Sequence, residues 1–289
     1  MTYKITAPSH IDTTINLPAS KSISNRALIL HALSGGKELP QNLSDCDDTE
    51  VIINALRDMP PTIDIKAAGT AMRFMTAYLS VTPGEHTITG TERMRHRPIR
   101  VLVDALRTLG ADIQYTDEEG YPPLHINGHS LEGGILTIPG DVSSQYISAL
   151  LMVGPTMKKG LTLRLSGDIV SRPYIDLTLH VMHEFGISVD WTNVDTISVE
   201  HQGIHEQPYT IENDWSASSY WYEILAMLDD RESTVRLPGL KDGTRQGDSA
   251  VRYLYSMLGV KTAFDSKGEV VLTRHSRTLP RLDYNFINQ

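Results

Sequence analysis

A single cysteine, Cys46, in 289 residues excludes an intrachain disulfide and any zinc cage built from several thiolates. It lies in the acidic run Asp45-Cys46-Asp47-Asp48 and reads as a small loop residue rather than a catalytic thiol. No stretch approaches 18 uninterrupted apolar residues, so no membrane-spanning helix is expected. Residues 1–10 lack a basic region followed by an apolar run, which is not the pattern of a signal peptide, and a reducing, cytoplasmic location fits. Positive charge is scarce: 26 Lys and Arg stand against 35 Asp and Glu, and the net charge of −9 argues against non-specific nucleic-acid binding. The 11 histidines show no HExxH or other metal spacing. His125 and His129 fall in a Pro- and Gly-rich stretch and read as surface loop residues. Gly69-Thr70 lacks the flanking glycines and lysine of a P-loop, so no nucleotide site is read there. What remains is a chain that is 40% hydrophobic, enough for one large or two ordinary domains. An acidic protein that handles an anion must concentrate its positive charges locally.

The most informative pattern is an internal repeat. Thr70, Ser143 and Ser216, each opening an apolar helix-like run, are 73 residues apart. Arg97-Pro98, Arg172-Pro173 and the weaker Gly247-Asp248 follow at intervals of 75. After each first helix comes a short strand ending in glycine: 86–90, 163–167 and 235–239. Second helices are predicted over 99–109, 174–185 and 250–258, closed by Gly110, Gly186 and Gly259 as C-caps. Two strands come next, 111–115 with 135–138 being the clearest pair. Alternating strands and helices specify an α/β protein built from copies of one βαβαββ-like unit. Counting back, Pro18-Ala19-Ser20-Lys21-Ser22 opens a shortened copy whose second helix falls near 49–57. Counting forward, the strand expected over 282–286 leads toward a helix beyond Gln289, so the last copy is expected to be truncated.

Four segments carry candidate chemistry. In Pro18 to Arg26, Lys21 and Ser22 lie in the first turn of an apolar helix, where free N–H groups and the helix dipole favour anions. Ser22 and Arg26, four apart, share a face. Either these groups grip a phosphorylated or carboxylated ligand, or the segment is an ordinary capped helix with exposed bases. Ser143-Ser144-Gln145 opens the helix 146–152. Paired hydroxyls there suit a phosphate, and N-capping is the alternative. Arg93 to Arg100 packs four arginines into eight residues, with Arg97 at the mouth of the next helix: an anion site or a solvated basic loop. Ser171-Arg172-Pro173-Tyr174 is the same corner one copy later, and Tyr174 could equally belong to the core stripe of Ile175 and Leu179.

Taken together, the segments resemble the 5-enolpyruvylshikimate-3-phosphate synthase family over nearly the whole chain. Leu17 to Arg26 is similar to its LPGSKSxSNR signature, Ala68 to Arg73 to its AGTAMR motif, and Arg93 to Pro98 to its RMKxRP loop. Asp141 to Gln145 and Ser171 to Asp176 resemble its VSSQ and S[KR]PYID segments. The resemblance implies an inside-out α/β barrel of two domains, each of three related units, with the active site between them. One domain spans 21–212, and the other pairs 1–20 with 213–289 and is incomplete. By motif, Ser143, Ser144 and Ser171 would hold the phosphate of shikimate 3-phosphate. Ser22 and Arg26 would hold its carboxylate end, and Tyr174 and Gln145 would line the ring. Lys21, Gly69, Arg97 and Gln145 would meet phosphoenolpyruvate, Lys21 touching both substrates and serving as the acid–base candidate. The implied reaction is addition–elimination: the 5-hydroxyl attacks C2 of the enol while C3 is protonated, then phosphate leaves. It needs neither metal nor organic cofactor, and the enzyme is expected to be a monomer, a shikimate-pathway transferase and a target of glyphosate.

Three departures stand against the pattern. The family's catalytic aspartate, its KExxR-type segment and further phosphoenolpyruvate-binding residues fall beyond Gln289, and no KExxR run occurs here, so binding with little turnover is expected. Ala67 replaces a common asparagine and Phe74 a common proline, which bears on the phosphoenolpyruvate pocket and glyphosate response. The segment between Arg57 and Ala67 is short, as if a hairpin were lost. The sister transferase acting on UDP-N-acetylglucosamine carries a cysteine before the Arg-Pro corner, and 91–96 contains none. A non-catalytic fragment that docks a phosphorylated ligand is the alternative of another class.

Overall fold

The structure, a computed structural model, describes residues 4, 6, 8–275, 279 and 281–285. The chain runs through β1 (Asp12–Thr14), α1 (Lys21–Leu33), α2 (Asp47–Asp58), β2 (Thr62–Asp64), α3 (Gly69–Val81), β3 (Gly84–Thr89), α4 (Glu92–Arg95) and α5 (Arg100–Thr108). There follow β4 (Asp112–Tyr115), β5 (Leu124–Gly128), β6 (Gly134–Pro139), α6 (Ser144–Val153), β7 (Leu161–Ser166), α7 (Arg172–Glu184), β8 (Val189–Asn193) and β9 (Thr196–Val199). The last elements are α8 (Trp215–Met227), β10 (Thr234–Leu237), α9 (Val251–Met257), β11 (Val260–Phe264) and β12 (Val270–Arg274). They form two compact units, a larger one of residues 21–211 and a smaller one joining residues up to 20 with those from 212 onward.

Three four-stranded sheets share one strand order. The larger unit has β2-β3-β5-β4 and β6-β7-β9-β8; the smaller has β1-β10-β12-β11. In every one the first pair is parallel and the other two pairs are antiparallel. A parallel pair needs a crossover, and the first helix of the copy supplies it between β2 and β3 and between β6 and β7. The second helices end where glycine permits a positive φ: 106° at Gly110, 74° at Gly186 and 88° at Gly259.

In the larger unit α1, α3 and α6 lie inside, α2 and α5 are buried on one face only, and the sheets lie outside. Every residue of α3 from Gly69 to Ser80 is buried, as are nine of the ten residues of α6, whereas β6 and β7 expose alternate side chains. A helix that is apolar all round belongs in a core rather than on a surface. The few polar residues of α3 are satisfied locally: Thr76 and Ser80 donate to the carbonyls of Met72 and Thr76, each at 2.7 Å. The smaller unit has its own core of Trp215, Tyr222, Leu225, Val235, Leu237, Val260 and Leu272. Among the described residues no helix is long and apolar enough to cross a membrane.

Three expectations need correction. The strand 111–115 does not pair with 135–138. Its partner is β5, in the register Ile113↔Ile126, while β6 opens the next sheet beside β7. β5 is masked in the sequence by the neighbouring prolines and glycines, yet Leu124, Ile126 and Gly128 alternate inward. A Cβ at Gly128 would overlap the Thr82 and Leu79 carbonyls, so only glycine fits. His125 is consequently a strand residue, with Nε2 3.1 Å from Glu85 Oε1 on β3, and not part of a loop. Residues 281–285 carry no strand, and Phe286 lies outside the described residues. Cys46 occupies the N-cap position of α2, where its Sγ lies 3.3 Å from Thr49 Oγ1.

Candidate active site

Four helices of the larger unit begin at the segments singled out above: α1 at Lys21, α3 at Gly69, α6 at Ser144 and α7 at Arg172. None has an acidic residue in its first turn, whereas α2 carries Asp47, Asp48 and Glu50 there. In a chain of net charge −9 this leaves the positive ends of four dipoles without a carboxylate of their own.

Arg26 is not an exposed base at the helix start. It is 3% exposed, and four of its five N–H groups are spent inside the protein. Nε donates to Thr178 Oγ1 at 2.7 Å and Nη1 to the Ser22 carbonyl at 2.8 Å. Nη2 donates to Ser148 Oγ at 3.0 Å and to the Tyr174 carbonyl at 3.3 Å. The Phe74 ring centroid lies 5.4 Å from Cζ. Among the described residues no carboxylate pairs with Arg26, and burial pulls its pKa down to about 10. It is a buried cation without a counter-ion, held from α1, α6 and α7 at once.

A second group gathers at the start of α3. Arg73, on the next turn, donates from Nη1 to the Gly69 carbonyl at 2.6 Å and lies over the Tyr146 ring at 5.3 Å. Its Nε is buried with no partner. Burial, and secondarily the charge of Arg97, lowers its pKa, while Tyr146 opposes the shift. A Cβ placed on Gly69 would come within 3.0 Å of Arg97 Cζ and closer still to its Nη1. Gly69 and Arg97, both predicted to meet one substrate, therefore touch because glycine leaves the room. Gln145 Nε2 donates to Thr70 Oγ1 at 3.2 Å, and the Tyr146 hydroxyl to the Pro98 carbonyl at 2.8 Å, so the start of α6 is tied to both α3 and the Arg97 corner.

The hydroxyls behave differently from one another. Ser143 is the N-cap of α6 and accepts from the Gln145 N–H at 3.4 Å, while Ser144 is buried as the first helical residue. Ser171 is the N-cap of α7 in the left-handed region (φ 54°, ψ 36°), an uncommon conformation for a residue other than glycine, and its side chain makes no capping bond. Lys21 is exposed at the first residue of α1 and Tyr174 is half-buried in the first turn of α7. Among the described residues no side-chain hydrogen bond joins Lys21 or Ser171 to the other predicted site residues, and the Ser171 carbonyl accepts from the Tyr174 N–H at 3.1 Å. Arg26, Ser22 and Tyr174 form one cluster, joined by Ser148 of α6, and Gly69 and Arg97 another, to which Gln145 of α6 is tied through Thr70. Thr70, Arg73, Ser148 and Thr178 were missed as site residues. The signal was present for two of them: Arg73 is four residues after Gly69, and Thr178 four after Tyr174. No group of three or more His, Cys, Asp or Glu could hold a metal among the described residues.

A repeat of parallel-first sheets around buried helices, with an anion-ready surface of helix N-termini, is the inside-out α/β architecture of the enolpyruvyl transferases. A family model for EPSP synthase (3-phosphoshikimate 1-carboxyvinyltransferase) matches residues 5–63 and 58–281. A 3-phosphoshikimate 1-carboxyvinyltransferase of Bacteroides fragilis is 56% identical over 288 residues, covering 100% of this chain and 70% of the relative. One from Photobacterium damsela subsp. piscicida is 36% identical, over 96% of this chain and 70% of its own length. The solved EPSP synthase of Acinetobacter baumannii superposes with a TM-score of 0.75 at 22% identity, over 93% of this chain and 66% of that one. The chain belongs to the EPSP synthase family, whose reaction is carboxyvinyl transfer to 3-phosphoshikimate. It spans about 70% of the length of the curated relatives.

Proposed function

We propose that the larger unit binds shikimate 3-phosphate through the starts of α1, α6 and α7, and phosphoenolpyruvate between Gly69 and Arg97, for transfer of the enolpyruvyl group to the 5-hydroxyl with release of phosphate. The observation that carries this reading is Arg26, a buried cation with no counter-ion among the described residues and one remaining Nη1–H, held between helices whose first turns are free of acid. Burying an unpaired charge costs several kcal/mol, a cost the substrate carboxylate would offset on binding. Ser144, the Ser171 hydroxyl and the positive ends of α6 and α7 suit the phosphate. Arg97 and Arg73 flank the carboxylate and phosphate of the second substrate, and Lys21, exposed at the start of α1, is the group able to carry a proton to the reacting carbon. No metal or cofactor enters this scheme; positioning and charge stabilisation do the chemistry.

Calorimetric titration with shikimate 3-phosphate, with shikimate as the phosphate-free control, tests it. Saturable binding that needs the phosphate and is lost in Ser143→Ala/Ser144→Ala supports the assignment. Absence of binding by a chain that circular dichroism shows to be folded refutes it. Release of inorganic phosphate when both substrates are present separates turnover from binding alone.

A further inference from the structure

The clamp on Arg26 has a direction. A guanidinium only donates, so the two buried hydroxyls it meets must accept from it and pass their own protons elsewhere. Arg26 Nη2 donates to Ser148 Oγ at 3.0 Å; Ser148 lies 2.7 Å from Thr178 Oγ1; Thr178 donates to the Tyr174 carbonyl at 2.8 Å. Thr178 Oγ1 also accepts from Arg26 Nε at 2.7 Å. The only consistent proton order is therefore Arg26 to Ser148 to Thr178 to the Tyr174 carbonyl. Thr178 then accepts twice and donates once, which uses its full capacity. Both hydroxyls are 0% exposed, so water does not substitute for either. The chain of bonds crosses three helices and fixes the guanidinium plane at two of its three nitrogens, leaving one Nη1–H aimed by the rest.

We infer that Ser148 and Thr178 are positioning residues for the substrate carboxylate: they orient Arg26 so that its remaining N–H meets a carboxylate, and they make the site selective for a charged group over a neutral one of the same shape. This rests on the reading that Arg26 faces the carboxylate of shikimate 3-phosphate. Neither residue touches substrate. Their effect passes through Arg26, and because Thr178 also bonds the Tyr174 carbonyl, loss of the hydroxyl loosens the first turn of α7 as well.

The test compares shikimate 3-phosphate with its 1-carboxamide, titrated into the wild-type chain and into Thr178→Val, Thr178→Ser and Ser148→Ala. Wild type is expected to favour the carboxylate by at least about tenfold, as a charge-assisted bond to a fixed guanidinium should. Thr178→Val and Ser148→Ala are expected to lower that ratio about three- to tenfold, and Thr178→Ser to restore it. The ratio is the readout because a general loosening of the site would weaken both ligands together and leave it unchanged. A wild-type protein that does not distinguish the two ligands overturns the reading of Arg26 and the inference with it. A wild type that distinguishes them, with folded Ser148→Ala and Thr178→Val variants that keep the wild-type ratio, overturns the inference alone. If Thr178→Val does not fold, the Ser148→Ala ratio decides.

Discussion

Replacing Gly69 with alanine separates stability from ligand binding. Gly69 is the first residue of α3 and does not adopt the left-handed backbone, so alanine fits its conformation. Its new methyl group would meet Arg73 Nη1 at 2.8 Å and Arg97 Cζ at 3.0 Å, with Arg97 Nη1 nearer still. Carbon atoms rest at about 3.5–4.0 Å, so the Arg97 head must retreat by roughly 0.5–1 Å. Arg97 is exposed, and that movement costs the fold little. Alanine in a helix meanwhile gains about 0.4–1 kcal/mol over glycine by restricting the unfolded chain. The melting temperature is therefore expected to stay within roughly 4 °C of wild type. Binding at Arg97 should not stay the same, because a displacement of this size at a ligand-holding group is costly. The affinity for phosphoenolpyruvate, titrated into protein saturated with shikimate 3-phosphate, is expected to fall about tenfold, equivalent to about 1.4 kcal/mol. The affinity for shikimate 3-phosphate itself should change less than about twofold. An unchanged phosphoenolpyruvate affinity in the folded variant, or an equal loss for both ligands, would refute the placement of that substrate between Gly69 and Arg97.

Three further outcomes are expected. His31 is buried at the end of α1 with Nδ1 unpartnered, and burial lowers its pKa against the opposing charge of Glu206. Its folded pKa lies below the unfolded value near 6.5, so the unfolded chain gains the proton first and stability falls as pH drops below about 6.5, by at most about 1.4 kcal/mol per pH unit. Urea midpoints at pH 7.5 and 5.5 should differ less in His31→Leu than in wild type; an equal difference would assign the acid sensitivity elsewhere. In the smaller unit, the Tyr222 hydroxyl lies 2.7 Å from Thr262 Oγ1, and burial pushes its pKa up to about 12. Tyr222→Phe should cost about 1 kcal/mol at pH 8. It should also lose part of the wild-type destabilisation between pH 10 and 12, where the unfolded tyrosine ionises first, with shikimate 3-phosphate affinity unaltered. Ser143→Ala alone should destabilise the larger unit by about 0.5–1 kcal/mol through loss of the α6 cap, read by urea denaturation; no change would mean that the long capping bond carries no energy.

Much of the fold could be read in advance because local rules set it. Glycines at 110, 186 and 259 ended helices where a left-handed residue was needed, and the 73-residue spacing marked one supersecondary unit copied along the chain. The strand β5 escaped because its inward residues are only Leu124, Ile126 and Gly128, flanked by Pro122-Pro123 and Gly128-His129, a composition that locally signals a loop. Its strand character comes from its partners: β3 and β4 satisfy its backbone on both sides. The site divides in the same way. The motif residues at helix starts were visible as capping and anion-binding patterns, since the properties of a helix N-terminus follow from its own first turn.

The sequence alone therefore determined the class of fold, the family and the segments that open the buried helices, because periodicity, caps and charge scarcity are all legible without the tertiary structure. Only the tertiary structure decided what each basic side chain does. Arg26 became a buried cation fixed by Ser148 and Thr178, Arg73 a support beneath Gly69, and Arg97 an exposed arm lying across it. These roles depend on which faces of α1, α3, α6 and α7 meet, over separations of up to 152 residues, and no local pattern encodes that meeting.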